Sequence, residues 1–214
     1  MYHYLDDKEF ESKMRQKCGE IMQDLCHILR EDYDIGATFY LVGSGARNLI
    51  TQNNNESVDL DYNLEILRCD CLDECRKLKE KIRKAFNDAL CLNGWGDCED
   101  SMSSLTTETR QFKSGNKTGF RMDVCITKRE SNGKYHRLIH EKNGHVLLDR
   151  YYWNTAPNSN NLKEKVNYIK KSGEWQEVRE RYLEKKNMYL KRNDHNHPSF
   201  ICYIETINEV YNKI

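Results

Sequence analysis

Apolar residues recur at steps of four and three along residues 6–31: Phe10, Met14, Cys18, Ile21, Leu25 and Ile28. That spacing predicts one helix with a single apolar stripe. Asp6 or Asp7 is placed to cap its start, and Gly36 lies just beyond its end. Residues 38–42 form a short apolar run that meets Gly43, Ser44 and Gly45, which reads as a buried strand entering a tight turn. Residues 46–50 have room for a short helix, and Asn53, Asn54 and Asn55 read as loop. Over residues 58–66 the pattern switches to period two. Val58, Leu60, Tyr62, Leu64 and Ile66 alternate with Asp59, Asp61, Asn63 and Glu65, so a strand there carries both aspartates on one face.

Residues 71–91 predict a charged helix with Leu72, Cys75, Leu78, Ile82, Phe86 and Leu90 along one side, ended by Gly94, Trp95 and Gly96. Residues 106–112 and 120–127 read as two strands joined by a polar turn over 113–118. In the second, Phe120, Met122, Val124 and Ile126 share one face, and Arg121, Asp123 and Cys125 share the other. Residues 134–141 and 145–153 predict a hairpin around Asn143 and Gly144. Beyond Pro157 the period returns to that of helices. Leu162, Val166 and Ile169 make one stripe, Trp175, Val178, Tyr182 and Tyr189 a second, and Phe200, Ile204, Ile207, Tyr211 and Ile214 a third, opened by Pro198. The expected fold class is α+β, a mixed sheet with flanking helices over residues 1–155 and a C-terminal helical lobe over 156–214.

Composition narrows the function classes. The chain has 214 residues and zero formal net charge, which argues against a general nucleic-acid coat. No apolar run approaches the roughly 18 residues of a membrane helix, and the polar residues 1–11 hold no signal-peptide core. Nine cysteines, an odd count in a chain of this size, read as reduced thiols of a cytoplasmic protein. Charge is divided unevenly. Residues 1–107 carry 13 Lys+Arg against 21 Asp+Glu, and residues 108–214 carry the reverse. Two halves that attract, or an acidic metal site facing a basic phosphate site, both account for this.

The candidate chemistry lies in three features taken together. A strand ends at Gly43 and Ser44, a second strand shows Asp59 and Asp61 on its polar face, and a third shows Asp123 on its own. If the second and third strands are neighbours, three carboxylates converge beside the turn. Carboxylate oxygens suit hard divalent ions, and two such ions can clamp the attacking and leaving oxygens of a phosphoryl displacement. Gly43 lets backbone approach a ligand closely, and Ser44 adds a hydroxyl. A solvated strand face with a chance Asp-x-Asp is the bland alternative. Against it, Asp is depleted in strands, and like charges on one face repel unless a cation intervenes.

This arrangement resembles the nucleotidyltransferases of the DNA polymerase β-like superfamily. The matching stretches are LVGSGARNLIT at 41–51, VDLDYNLEI at 58–66 and RMDVCI at 121–126. The resemblance implies that Asp59 and Asp61 bind two Mg²⁺ (or Mn²⁺) ions. It implies that Asp123 completes one of those sites and helps to activate an acceptor hydroxyl, and that Gly43 and Ser44 grip the triphosphate. The 15 positions from Ser44 to Asp59 are more similar to the branch of oligoadenylate and cyclic-dinucleotide synthases. The segment HPSFICYIETINEVY at 197–211 is faintly similar to that branch's Ser-aromatic helix start. By that likeness Ser199 and Phe200 approach the nucleotide, and Lys170 or Lys171 meets phosphate. Helix capping and solvated charge are the plainer account of these four. The resemblance implies an NTP substrate, with a nucleotide, an RNA, a small molecule or a protein as acceptor. A silent nucleotide-binding or interaction module on the same fold is the rival reading. The oligomeric state is not legible.

Other signals carry less. Cys69, Cys71 and Cys75, with Cys91 and Cys98 beyond, invite a zinc reading, yet there is no second short-spaced ligand pair and Cys75 fits the apolar stripe of its helix. His136, His140, His145, His195 and His197 form no ligand spacing. Asn48 stands where a dinucleotide fingerprint needs its third glycine. Tyr151, Tyr152 and Trp153 read as a hairpin edge packed on the helical lobe rather than a base-stacking platform.

Overall fold

The computed structural model describes residues 1–131, 133–155, 161–194 and 199–214. Pro157, Pro198, His195 and His197 lie outside the described residues. Helix α1 runs Lys8–Tyr33, and the Asp7 side chain accepts from the Phe10 N–H at 2.9 Å. It ends at Asp34, which adopts the left-handed conformation, so Gly36 opens the next strand instead of the cap. The stripe Phe10, Met14, Cys18, Ile21, Leu25 and Ile28 is buried as its spacing requires. Each large aliphatic side chain among them contributes about 2 kcal/mol.

Strand β1 (Tyr2–Tyr4) pairs antiparallel with β3 (Thr51–Asn53). Here a strand takes in Asn53, which reads as loop in the sequence. Strand β2 (Gly36–Leu41) pairs antiparallel with β4 (Val58–Arg68), and β4 pairs parallel with β7 (Phe120–Arg129). Beyond β7 the sheet forks. The short β6 (Leu105–Thr106) and β5 (Glu99–Asp100) follow one half of β7, and β8 (Tyr135–Glu141) and β9 (Arg150–Thr155) follow the other. Among the described residues this makes a seven-stranded mixed sheet. Only Leu105 and Thr106 form a strand where residues 106–112 suggest a longer one. Past Thr107 the contact to β7 reduces to a bridge between Arg110 and Phe120, because Glu108 and Thr109 are polar and exposed and have no apolar face to keep on the sheet.

Helix α1 and helix α2 (Cys75–Leu92) cover one face of the sheet. Leu60, Tyr62, Leu64, Met122, Val124 and Ile126 point into that core. Trp153 and Tyr151 pack there too, and the Trp153 indole N–H donates to Leu72 O at 2.9 Å. The hairpin edge therefore packs on α2 and not on the helical lobe, because these side chains lie on the sheet face that α2 covers. The run Val146, Leu147 and Leu148 is an exposed loop rather than a strand.

On the α2 side a buried polar cluster ties the fork together. Lys79 of α2 meets Asp100 Oδ1 at 2.6 Å and donates to Ser101 O at 2.9 Å. The His140 ring stands between Asp100 and Asp149, its nitrogens 2.8 and 2.9 Å from their carboxylate oxygens, and stacks on Tyr151. These contacts clamp the β5–β6 hairpin against α2 and β8.

The C-terminal helices are α3 (Leu162–Lys171), α4 (Trp175–Lys191) and α5 (Ser199–Tyr211). They build a second apolar cluster around Ile169, Val178, Tyr182, Cys202, Tyr203 and Ile207, into which Leu49 also inserts. Strand β1 joins this lobe to the rest. The Tyr2 backbone bonds Asn187 in both directions, and the Tyr4 hydroxyl donates to Arg179 O at 2.6 Å. No described helix is long and apolar enough to cross a membrane.

Candidate active site

The parallel pairing of β4 with β7 decides the site. Its register sets Asp61 directly opposite Asp123 and Asp59 opposite Arg121. Side chains opposite one another share a face, so all three carboxylates lie on the face away from α1 and α2. The turn after β2 closes over them, with the Val42 N–H bonded to Asp61 O at 2.8 Å. Gly43 has φ +62, and a Cβ there would stand 2.9 Å from Asp61 Cγ, on top of its carboxylate. Only glycine tolerates both the backbone and the contact. Ser44 follows as the lead-in to a single 3-10 turn, Gly45–Arg47, where a short helix is expected.

Each carboxylate has a different setting. Asp61 is pushed up to about 6, first by burial and then by the charges of Asp123 and Asp59. Asp123 is raised by burial and by Asp59, while a hydrogen bond from Thr106 Oγ1 at 2.5 Å opposes the rise. Asp59 is held by Arg121, whose Nε lies 2.6 Å from Oδ1 and whose Nη2 lies 3.5 Å from Oδ2. Three hard-oxygen donors that repel one another at the end of a sheet suit Mg²⁺ or Mn²⁺ by their chemistry. Among the described residues no group of three or more His, Cys, Asp or Glu is arranged to hold a metal ion. Arg121 and Thr106 engage two of the three. The cysteine cluster offers no alternative: Cys69 and Cys71 sit side by side with sulfurs 2.8 Å apart, and among the described residues no third ligand joins them.

Cations approach from the lobe side. Arg47 donates to Gly43 O at 2.7 Å and spreads its guanidinium over Tyr203, 4.4 Å from the ring centroid, and over Phe200 at 5.9 Å. It thereby joins the turn to the head of α5. Ser199 is exposed there and hydrogen-bonds Tyr182. Lys186 of α4 lies 4.0 Å from the Tyr2 ring centroid and donates to Thr51 Oγ1 at 2.8 Å. Burial lowers its pKa to about 8, opposed by Cys202, Asp59 and Asp61. Arg137 of β8 adds positive potential at Asp61, and among the described residues its buried Nε has no hydrogen-bond partner.

The structure thus brings Gly43, Ser44, Asp59, Asp61 and Asp123 together, with Phe200 joined through Arg47. Lys170 and Lys171 are exposed at the end of α3, and Lys170 lies over Trp175, 4.7 Å from its centroid. No described contact links either lysine to the carboxylates. Lys186 and Arg47 escape the sequence reading. For Lys186 a signal exists: it occupies the position between Tyr182 and Tyr189 where the α4 stripe calls for an apolar residue.

No protein-family model matches the chain, and no curated protein matches it by sequence. Solved structures do match. CdnC of E. coli MS115-1, solved with ATP, is 14% identical with a TM-score of 0.62 over 96% of this chain and 61% of that one. The Vibrio cholerae DncV cyclic AMP-GMP synthase, in complex with the linear intermediate 5' pppA(3',5')pG, is 11% identical with a TM-score of 0.55 over 82% and 59%. The Elizabethkingia meningoseptica CdnE cyclic dinucleotide synthase, with GTP and Apcpp, is 15% identical with a TM-score of 0.51 over 92% and 70%. The chain spans about three fifths of CdnC and DncV. It shares their nucleotidyltransferase-like α+β fold.

Proposed function

We propose that this chain is a metal-dependent nucleotidyltransferase that moves a nucleotidyl group from an NTP to a hydroxyl acceptor and releases pyrophosphate. The observation that carries the reading is the register of Asp61 against Asp123, with Gly43 seated on Asp61. Asp59, Asp61 and Asp123 would hold Mg²⁺ or Mn²⁺, which when bound neutralises charge developing on the α-phosphate and the departing pyrophosphate. The Gly43–Ser44 turn brings backbone and a hydroxyl to the phosphates. Arg47 and Lys186 supply positive charge from the lobe side, where Ser199 and Phe200 border the same space. Lys170 and Lys171 remain candidates for phosphate only if α3 moves toward the turn. Asp123, which accepts a hydrogen bond from Thr106, would take the acceptor's proton. The acceptor oxygen would then bond to the α-phosphorus as its bond to the oxygen bridging the α- and β-phosphates breaks, releasing pyrophosphate, and the gain is mainly positional and electrostatic.

The division into a core of residues 1–155 and a lobe of 156–214 belongs to this reading. Two apolar clusters support it, although Leu49 of the core serves the lobe's cluster. Nine cysteines, an odd count in a chain of this size, support a reducing compartment such as the cytoplasm. The structures of CdnC with ATP and CdnE with GTP support an NTP ligand.

A catalytically silent nucleotide-binding module is the second reading, favoured by the ion pair that engages Asp59. Pyrophosphate release separates the two. Wild-type protein is incubated with each of the four NTPs, Mg²⁺ or Mn²⁺, and either no acceptor or bulk RNA, beside an Asp59→Asn/Asp61→Asn control. Release by wild type alone supports the transferase. NTP-dependent thermal stabilisation without release supports the silent module.

A further inference from the structure

We propose that Cys69 and Cys71 are a redox-responsive dithiol, a modification site that a low-molecular-weight disulfide of the glutathione class closes to an intrachain disulfide. The inference is independent of the nucleotidyltransferase reading. Its ground is the turn over residues 70–73 that follows β4 and folds Cys71 back on Cys69. The Cys71 N–H donates to Cys69 Sγ at 3.2 Å, and the two sulfurs stand 2.8 Å apart. Both are free thiols. Sulfurs in a disulfide are about 2 Å apart, so closure asks for a shift of about 1 Å. A structural zinc site takes four ligands, and among the described residues no third His, Cys, Asp or Glu joins the pair. Two adjacent thiols are the set that a dithiol–disulfide couple needs.

The two sulfurs differ in access. Cys69 is half-buried, whereas Cys71 is buried and packs into the core. Cys69 is therefore the sulfur that a disulfide in solution meets. Its thiolate attacks one sulfur of glutathione disulfide, forming the Cys69–glutathione bond and expelling one glutathione thiolate. The Cys71 thiolate then attacks the Cys69 sulfur, forming the Cys69–Cys71 bond and expelling the second. The two thiol protons end on the two glutathiones, and the two electrons given up by the pair reduce the glutathione disulfide. The second step is intramolecular between sulfurs already side by side, which favours it. Burial, and then the Cys71 thiol, hold the Cys69 thiol above its ordinary range, while Lys81 opposes the rise. At neutral pH the pair thus reacts slowly, and it closes under disulfide stress rather than at rest. Cys91 is exposed, and among the described residues no thiol contacts it, so it stops at the first step.

The test treats the full reduced chain with glutathione disulfide at pH 7, 8 and 9, alkylates the remaining thiols and maps them by mass spectrometry. Cleavage after Arg68 and Arg76 isolates residues 69–76, and a further cut after Glu74 separates Cys75 from the pair. The expected product is a 69–74 fragment two hydrogens lighter than its dithiol form. It should outnumber the Cys69–glutathione adduct about tenfold or more, form about tenfold faster per pH unit, and revert fully with dithiothreitol. Cys91 of the same chain should carry glutathione instead. Cys71→Ser should trap glutathione on Cys69. Cys69→Ser, a change at the half-buried position, should leave Cys71 unmodified, and far-UV circular dichroism checks the fold of both variants. A wild-type product in which Cys69 keeps glutathione beside a free Cys71, or bonds to Cys75, overturns the proposal. So does a pair left untouched at pH 9 by a dose that fully modifies Cys91. Either failure leaves the transferase reading standing.

Discussion

Gly43 and Asp61 occupy one another's space: the Asp61 carboxylate fills the volume that a side chain at position 43 would need. The turn and the buried carboxylate are therefore a single unit. Gly43→Ala sets a left-handed backbone, which costs a non-glycine residue about 1 kcal/mol, against a displaced Asp61. We expect a stability loss of about 2 kcal/mol and a fall in pyrophosphate release of about a hundredfold or more, since positional errors of about an ångström carry that cost. Ser44→Ala tests the hydroxyl without the backbone and should cost about tenfold or less. Denaturant melts and the release assay check both.

The raised pKa of Asp61 makes a statement about the metal-free fold. The folded value, about 6, lies above the ordinary 3.8. The folded state therefore binds more protons than the unfolded one between those limits, and this group's contribution to stability falls as pH rises from about 4 to about 6. Asp123 shifts in the same direction, also from burial first. Without metal, Asp61→Asn should melt higher than wild type at pH 7, by on the order of 1–3 kcal/mol in stability, and should match it near pH 4. Mg²⁺ should stabilise wild type increasingly as pH rises through 6, and Asp61→Asn little. Thermal melts across pH 4–7.5 decide. Equal melting of the two proteins at pH 7 refutes the electrostatic account.

Lys186 shifts the opposite way. Burial lowers its pKa to about 8. The folded state binds fewer protons than the unfolded one between about 8 and the ordinary 10.5, so this group's contribution grows as pH rises through that window. At pH 7 a charged lysine stays half-desolvated between Tyr2 and Thr51, an arrangement that suits an anion more than a fold. Lys186→Met should leave the empty protein as stable as wild type or more so. It should raise the KM for NTP about tenfold, the loss of one charge-assisted contact of about 1.5 kcal/mol, with a smaller effect on kcat. Lys170→Ala and Lys171→Ala are expected to change KM less, since both side chains are exposed on α3. Steady-state kinetics of the three variants ranks them.

Period-two alternation made the central strands legible. From Val58 to Ile66 every second residue is buried in the core, so the faces of Asp59, Asp61 and Asp123 follow from the spacing alone. The side-by-side pairing of β4 and β7 was conditional in the sequence, because pairing is a long-range event that local pattern does not encode. The lobe's contribution is less legible in the sequence. Lys170 and Lys171 draw attention as a basic pair, yet adjacent residues on a helix face different ways and this pair faces solvent. Lys186 looks like a fault in an apolar stripe until the chain folds Tyr2 and Thr51 against it. Thr106 and Arg47 carry no sequence mark, because their roles depend on where β6 and α5 come to rest.

The clamp behind the sheet should reach the site through Thr106. His140 is buried between Asp100 and Asp149, and Asp100 in turn meets buried Lys79. Removing the ring takes one hydrogen-bond partner from Asp100, which keeps Lys79, and one from Asp149, which keeps the Asn143 N–H. Asp100 belongs to β5, β5 pairs with β6, and β6 sets Thr106 on Asp123. His140→Ala, which deletes a buried ring, should therefore lower stability by about 2 kcal/mol and also loosen Asp123. Thr106→Val separates the two effects. It removes only the hydroxyl that bonds Asp123, so it should reduce kcat by about tenfold while costing about 1 kcal/mol in stability. If Thr106→Val leaves kcat unchanged, the clamp serves the fold alone. If His140→Ala, assayed well below its melting temperature, loses kcat to the extent that Thr106→Val does, the α2 side and the carboxylate side of the sheet act as one unit.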